Sequence, residues 1–301
     1  MSRRVNLANN GYFHREHIMR PYANDDLTAI ASLVMGSQTL LAAELPAAEL
    51  PAAELPEGGG RADRELLLLG AADRASGSAA SLESMDISEF SLPSGRMARI
   101  RFVPHSVLEE LRSLCVRAVD GRSVPSMKVN PPTFAFSQLL LLHRIRTGLA
   151  LTNESIHSAW RAELRCDALP SVLAARHLRF AGERVEETKA LLAAPSLESA
   201  QWCARQAANE LLAATLCSVG STDPRPEWHL RQLRASTPDL GEAEVARLID
   251  AVCGWSSSSL ERTQSLLKIC EDLALAVIDR LPDVADYATG VLGGDPRQPR
   301  Q

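Results

Sequence analysis

Aromatic side chains make up only 4% of this 301-residue chain, although 46% of it is hydrophobic. Its core must therefore be mostly Leu, Ala and Val, and small residues on helix faces let neighbouring helices approach closely. Paired cysteines are lacking too. The six stand at positions 115, 166, 203, 217, 253 and 270, none in C-x-x-C spacing. That argues against a zinc ribbon or a thioredoxin-type motif. Reduced core residues in a cytoplasmic protein are the expected role, with Cys203, Cys253 and Cys270 on apolar helix faces. No apolar run reaches the roughly 20 residues of a membrane span. Met1 to Asn6 lacks the apolar stretch of a signal peptide. The net charge of −5 lacks the excess of Lys and Arg that coats nucleic acid, while leaving room for a local basic face.

What the chain does have is a long stretch of small and apolar residues at helical spacing. Ala200, Cys203, Ala204, Ala207, Ala208, Leu211, Leu212, Thr215 and Leu216 follow steps of three and one. Ser196 is placed to cap this helix, and Gly220 with the run Thr222 to Pro226 stops it. It reads as the central helix of a bundle. Further helical faces run through Phe136, Leu139, Leu140 and His143, through Ile156, Ala159, Trp160 and Leu164, and through Leu178, Ala181, Val185, Thr188 and Leu192. Two more follow, from Val245 to Cys253 and from Leu266 to Ile278. About six antiparallel helices are expected between residues 134 and 285, with every segment after the prolines at 125 to 132 helical.

The N-terminal part reads differently. Residues 1–26 are a polar, turn-rich arm. Ala-Ala-Glu-Leu-Pro occurs three times in tandem over residues 42–56. A proline at every fifth position prevents a lasting helix, so residues 42–62 are expected as a flexible insertion. Short strands are expected at Glu65 to Leu69, Met85 to Leu92 and Met97 to Val103, the last two joined by a turn at Ser94-Gly95. In the last strand Ala98, Ile100 and Phe102 alternate with Arg99 and Arg101, which gives it a basic face. Ser106 is placed to cap a helix reaching Cys115. The fold class is thus α+β, mostly α overall: a small, incomplete N-terminal α/β domain at 27–124, an antiparallel helical bundle at 133–285, and a disordered tail at 286–301.

The order of these pieces resembles the nucleotidyltransferase superfamily with a polymerase-β-like core, several bacterial members of which add a C-terminal helical bundle. Val34-Met35-Gly36-Ser37 resembles its Gly-Ser turn. Met97 to Pro104 is similar to its late strand, and Ser106 to Cys115 to the helix after it. Leu142 to Leu149 is similar to its R-L-x-x-G-x-L helix end, and Pro224-Arg225-Pro226-Glu227-Trp228 to its P-x-x-K-W turn, with Glu227 in place of Lys.

The resemblance implies a Gly36–Ser37 turn that approaches a triphosphate. It also implies carboxylates on neighbouring strands that hold two Mg²⁺ ions. Asp86 fits the second position of the Asp-x-Asp pair, as catalytic and metal-binding residue, but Ser84 stands in the first. Arg99 stands where the third carboxylate belongs, and a cation there repels a dication. The implied function is a nucleotidyltransferase-like protein without a complete two-metal site. It would bind a nucleotide or RNA in a cleft between core and bundle through Gly36, Ser37, Arg99, Arg101 and Arg144. Two alternatives stay open. One is an active transferase acting on a small molecule with Mg²⁺ and a nucleotide, its carboxylates drawn from Asp63, Asp73, Asp86 or Glu89. The other is a non-enzymatic helical adaptor that binds a protein partner.

Three features carry blander readings. Arg176-His177 are adjacent on a helix, hence on different faces, and read as solvated surface rather than a catalytic pair. Ser256 to Ser259 read as cap and linker, because no nucleophile-elbow motif surrounds them. Trp202, Trp228 and Trp255 read as packing between helices.

Overall fold

A computed structural model describes residues 41–44, 64–71, 87–91, 93, 97–120, 134–150, 154–194, 196–254 and 259–293. These residues are mostly helical. The chain divides into two compact units, Met1–Ser113 with Arg144–Leu164, and Leu114–His143 with Arg165–Gln301. The expected domain boundary, the prolines at 125 to 132, lies outside the described residues, as does the arm at 1–26.

The first unit contains a five-stranded mixed sheet in the order β3-β4-β2-β1-β5. Strands β2 (Arg64–Ala71), β3 (Ile87–Ser91) and β4 (Met97–Pro104) match the three apolar runs of the sequence. β3 and β4 pair antiparallel, whereas β2 and β4 pair parallel. Consecutive parallel strands need a crossover, and here the chain visits β3 on the way.

The other two strands depart from expectation. β1 (Leu41–Glu44) takes Ala42, Ala43 and Glu44 from the first copy of the repeat and pairs with β2 and with β5 (Leu149–Ala150). The residues expected to be a flexible insertion therefore begin with an inner strand. The physical reason is that proline bars a helix but pushes the residues before it toward extended backbone. β5 likewise breaks the expectation of helix throughout after the prolines. Its two residues follow Gly148, where a helix has ended, and pair with Ala43 and Glu44.

Helix α1 (His105–Asp120) starts directly after β4. Ser106 therefore lies inside its first turn, not at a cap ahead of it. Within this unit Leu69, Val103, Val107, Leu108, Leu111 and Ile145 are buried, together with Trp160 of α3 (Glu154–Glu163). Ile145 belongs to α2 (Phe136–Thr147), and its carbonyl lies 2.9 Å from Nε2 of buried His157. Burial holds His157 below the ordinary histidine value, against that hydrogen bond.

In the second unit the central helix is α5 (Leu197–Ser218), and its main partner is α4 (Leu169–Ala193). Ala200, Ala204, Ala207, Ala208 and Ala214 are fully buried on α5. Pro170 starts α4, where a missing N–H costs nothing. Ser196 occupies the N-cap position of α5 but its side chain makes no capping hydrogen bond. α6 (Pro226–Ala235), the short α7 (Thr237–Leu240), α8 (Glu242–Cys253) and α9 (Leu260–Arg280) follow. α6 was not anticipated, because Pro226 reads as a stop and in fact opens the helix.

The chain also stays helical beyond residue 285, where the bundle was expected to end. A 3-10 segment, Pro282–Ala288, and α10 (Thr289–Leu292) bury Ala288 and Val291. α10 docks on α4 by a glycine pair: a Cβ built on Gly182 would lie 3.1 Å from the Gly290 Cα. Two side-chain expectations also fail. Cys253 is exposed at the end of α8, and Trp202 on α5 is 59% exposed. Each sits two positions beyond a buried alanine, Ala251 and Ala200 respectively. Among the described residues no helix is long and apolar enough to cross a membrane.

Candidate functional site

Of the residues expected to bind a ligand, Gly36, Ser37 and Asp86 lie outside the described residues. Arg99 and Arg101 stand two positions apart on β4, and Arg144 lies in the last turn of α2. The register places Arg99 between two acidic positions, opposite Glu65 on β2 and Glu89 on β3. Arg101 is half-buried, opposite Leu67 and Ile87. Among the described residues no group of three His, Cys, Asp or Glu side chains could hold a metal ion.

Among the described residues a concavity lies within the bundle unit. A cavity of about 170 Å³ is enclosed by the start of α2, by α4 and α5, and by the turn leading into α6. Its wall is largely apolar, with Phe134, Leu139, Leu173, Leu216 and Pro224, and the largely exposed Phe136 opens it to solvent. Arg176, His177, Ser221, Asp223 and His229 supply its polar groups.

The turn is held by Asp223, whose side chain is only 6% exposed. Its Oδ1 accepts from the Arg225 backbone N–H at 3.1 Å and from Arg225 Nε at 2.8 Å, and Oδ2 accepts from Nη2 at 2.6 Å. A short acidic side chain bonding the backbone two residues on is an Asx-turn, and the fork of Arg225 makes it bidentate as well. Burial pushes the Asp223 carboxyl up. The Arg225 hydrogen bonds and the nearby His143 outweigh it and hold the carboxyl below the ordinary aspartate value. His143 Nε2 lies 3.7 Å from Oδ2, while its Nδ1 lies 3.0 Å from Oγ1 of buried Thr222. Arg225 and Arg231 each lie 5.3 Å from the ring centroid of Trp228. The Pro-Arg-Pro-Glu-Trp motif thus serves to shape the turn that closes the cavity.

His177 Nδ1 lies 2.7 Å from Oε2 of Glu210. Arg176 lies 5.4 Å from the Phe180 ring and feels the charge of Glu210. Burial lowers the His229 imidazole below its ordinary value, helped by neighbouring His177. His229 is therefore a neutral imidazole at neutral pH. The cavity combines one guanidinium, imidazole edges and an apolar wall, which suits binding of a small polar or anionic molecule.

Arg176 and His177 line the same cavity, which overturns their reading as solvated surface. Adjacent helical residues diverge by about 100° in direction. Two long side chains can still border one hollow when it faces the line between them. His229 escaped the sequence reading because α6 did. The sequence signal for the turn was Asp-Pro-Arg-Pro, a pattern suited to an Asx-turn followed by a proline-started helix.

Neither a protein-family model nor a curated protein sequence matches this chain. Among solved structures it is similar to a nucleotidyltransferase-like protein from Exiguobacterium sibiricum 255-15, at 14% sequence identity and a TM-score of 0.44, over 91% of this chain and 81% of that one.

Proposed function

We propose that the chain is a nucleotidyltransferase-like protein that binds a phosphate-bearing ligand, a nucleotide or an RNA, without a complete two-metal site. The observation that carries this reading is the character of β4. It is an inner strand of the mixed sheet, paired on both sides, and it carries Arg99, where the resemblance expects the third carboxylate, flanked by Arg101. Arginine holds phosphate oxygens bidentately and never loses its charge, so such a strand selects phosphate without a metal bridge. Gly36, Ser37 and Arg144 complete the proposed ligand set, and 27–124 and 133–285 the proposed domains.

A second reading, an active metal-dependent transferase, draws on the position of Glu89 on β3 opposite Arg99. Glu89 would be one of its carboxylates, with Asp86 near it in sequence.

Calorimetric titration of ATP and of tRNA, each with Mg²⁺ and with EDTA, tests both. The first reading expects binding that survives EDTA and weakens at least tenfold in Arg99→Ala. Binding abolished by EDTA, together with pyrophosphate release, replaces it with the second. Absence of binding by both ligands defeats both and leaves a helical adaptor.

A further inference from the structure

The polar groups of the bundle cavity are unequally occupied. Asp223 is taken by three hydrogen bonds from Arg225, and Glu210 by His177. The acid in the cavity wall, Asp223, and the acid paired with its histidine, Glu210, are thereby committed. Arg176 is not. It borders the cavity, half-buried, and its interactions are the ring of Phe180 and the charges of Glu210 and Arg179; it makes no hydrogen bond among the described residues. A guanidinium has five N–H donors and no acceptor. The guanidinium keeps its charge and has donors to spare, and an anion is the ligand that uses both best.

The size and wall of the cavity restrict the ligand further. At about 170 Å³ it is smaller than the roughly 300–1,000 Å³ of pockets for drug-sized ligands. Leu139, Leu173, Leu216 and Pro224 offer apolar surface to whatever the guanidinium holds. An inorganic ion would leave that surface unused.

We propose that this cavity binds a small organic anion, a carboxylate or phosphate monoester on a compact apolar body, with Arg176 as the contact to its oxygens. The inference stands independently of the nucleotidyltransferase reading, since it uses no residue of the sheet.

The test uses the full chain with benzoate, phenyl phosphate, inorganic phosphate and the neutral benzamide as probes. Binding is followed by calorimetry and by the imidazole NMR signals of His177 and His229, which border the cavity. The expected result is saturable binding of benzoate or phenyl phosphate with shifts of both imidazoles. Affinity should fall at least tenfold for benzamide and for Arg176→Gln. Which of the two anions binds more tightly identifies the headgroup. Inorganic phosphate binding as tightly as phenyl phosphate overturns the role of the apolar wall. Equal affinity for benzamide and benzoate overturns the role of Arg176, as does binding unchanged in Arg176→Gln. No saturable binding by any probe overturns the proposal outright. Should Arg176→Gln unfold, the comparison of benzoate with benzamide on the unaltered chain still decides.

Discussion

Alanine does opposite work in the two units. On α5 it is a spacer: Ala200, Ala204, Ala207, Ala208 and Ala214 are fully buried, and their small size lets α4 and α9 come close. In β1, alanines are ladder residues, Ala42 paired with β2 and Ala43 with both β2 and β5. Alanine has the highest intrinsic helix propensity, so α5 follows local preference and β1 opposes it. In the bundle, therefore, structure is written by the period of nearby residues. In the sheet it is written by partners far away in the chain, and local preference yields where proline forbids the helix.

The largest effect expected from this contrast is in the bundle. Leu211 is fully buried on α5. Leu211→Ala should cost about 4 kcal/mol, most of it from the cavity left behind. Urea unfolding followed by helical circular dichroism measures it. A loss below about 1 kcal/mol would mean that the stripe of small residues is not tightly packed, and the contrast with the sheet would dissolve.

Next comes the sheet itself. Ala43 pairs with Leu67 on one side and Ala150 on the other. Ala43→Pro removes one ladder donor and orphans its acceptor, a cost of about 3 kcal/mol locally. Hydrogen exchange of the β2 amides should quicken. Deleting Ala47 to Pro56 instead leaves all of β1 in place and should leave that exchange unchanged. Unaltered β2 protection in Ala43→Pro would remove β1 from the sheet.

That pair of experiments also marks what the sequence could reveal. β4 and the long helices announce themselves by apolar period, and β2 by a short apolar run. β1 and β5 carry no such signal. Two alanines and a glutamate become a strand only through pairing with β2, and Leu149–Ala150 only through pairing with β1. The cavity was legible in parts. The Pro-Arg-Pro-Glu-Trp turn stood out, but its purpose depended on α2 and α4, whose approach no local pattern encodes. Arg176 and His177 looked solvated because a helical wheel shows direction and not what lies opposite.

A smaller effect is expected at the turn of the cavity. Arg225→Ala strips Asp223 of the two charge-assisted hydrogen bonds from the guanidinium while leaving the backbone N–H bond in place and the carboxylate largely buried, and should cost about 2 kcal/mol near neutral pH. The pH dependence gives the sign a second check. The folded Asp223 carboxyl lies below its ordinary value, so its contribution is present above the unfolded aspartate pKa of about 3.9 and is lost as pH falls through the folded one. The gap between the two proteins should therefore narrow below about pH 4. His157 and His229 act in a higher window. Both are held below the ordinary histidine value, so the unfolded chain takes up protons first and stability declines as pH drops beneath about 6.5. A gap that widens toward low pH would contradict the Asp223–Arg225 pairing.

The smallest effect separates two serines that look alike in sequence. Ser259 sits before α9 with extended backbone, φ −139° and ψ 152°, and its hydroxyl accepts from the Arg262 N–H at 3.1 Å. Ser196 sits before α5 with ψ at 70°, outside the extended region that aims an N-cap side chain back at the helix, and makes no such bond. Ser259→Ala should therefore cost about 1 kcal/mol, whereas Ser196→Ala should cost less than about 0.5 kcal/mol. Chemical denaturation resolves a difference of that size when the two variants are compared in one buffer. Equal losses would mean that Ser196 caps α5 after all. The start of the central helix would then follow its local sequence as closely as its apolar face does, and the bundle would be more fully written in local signals than its backbone angles indicate.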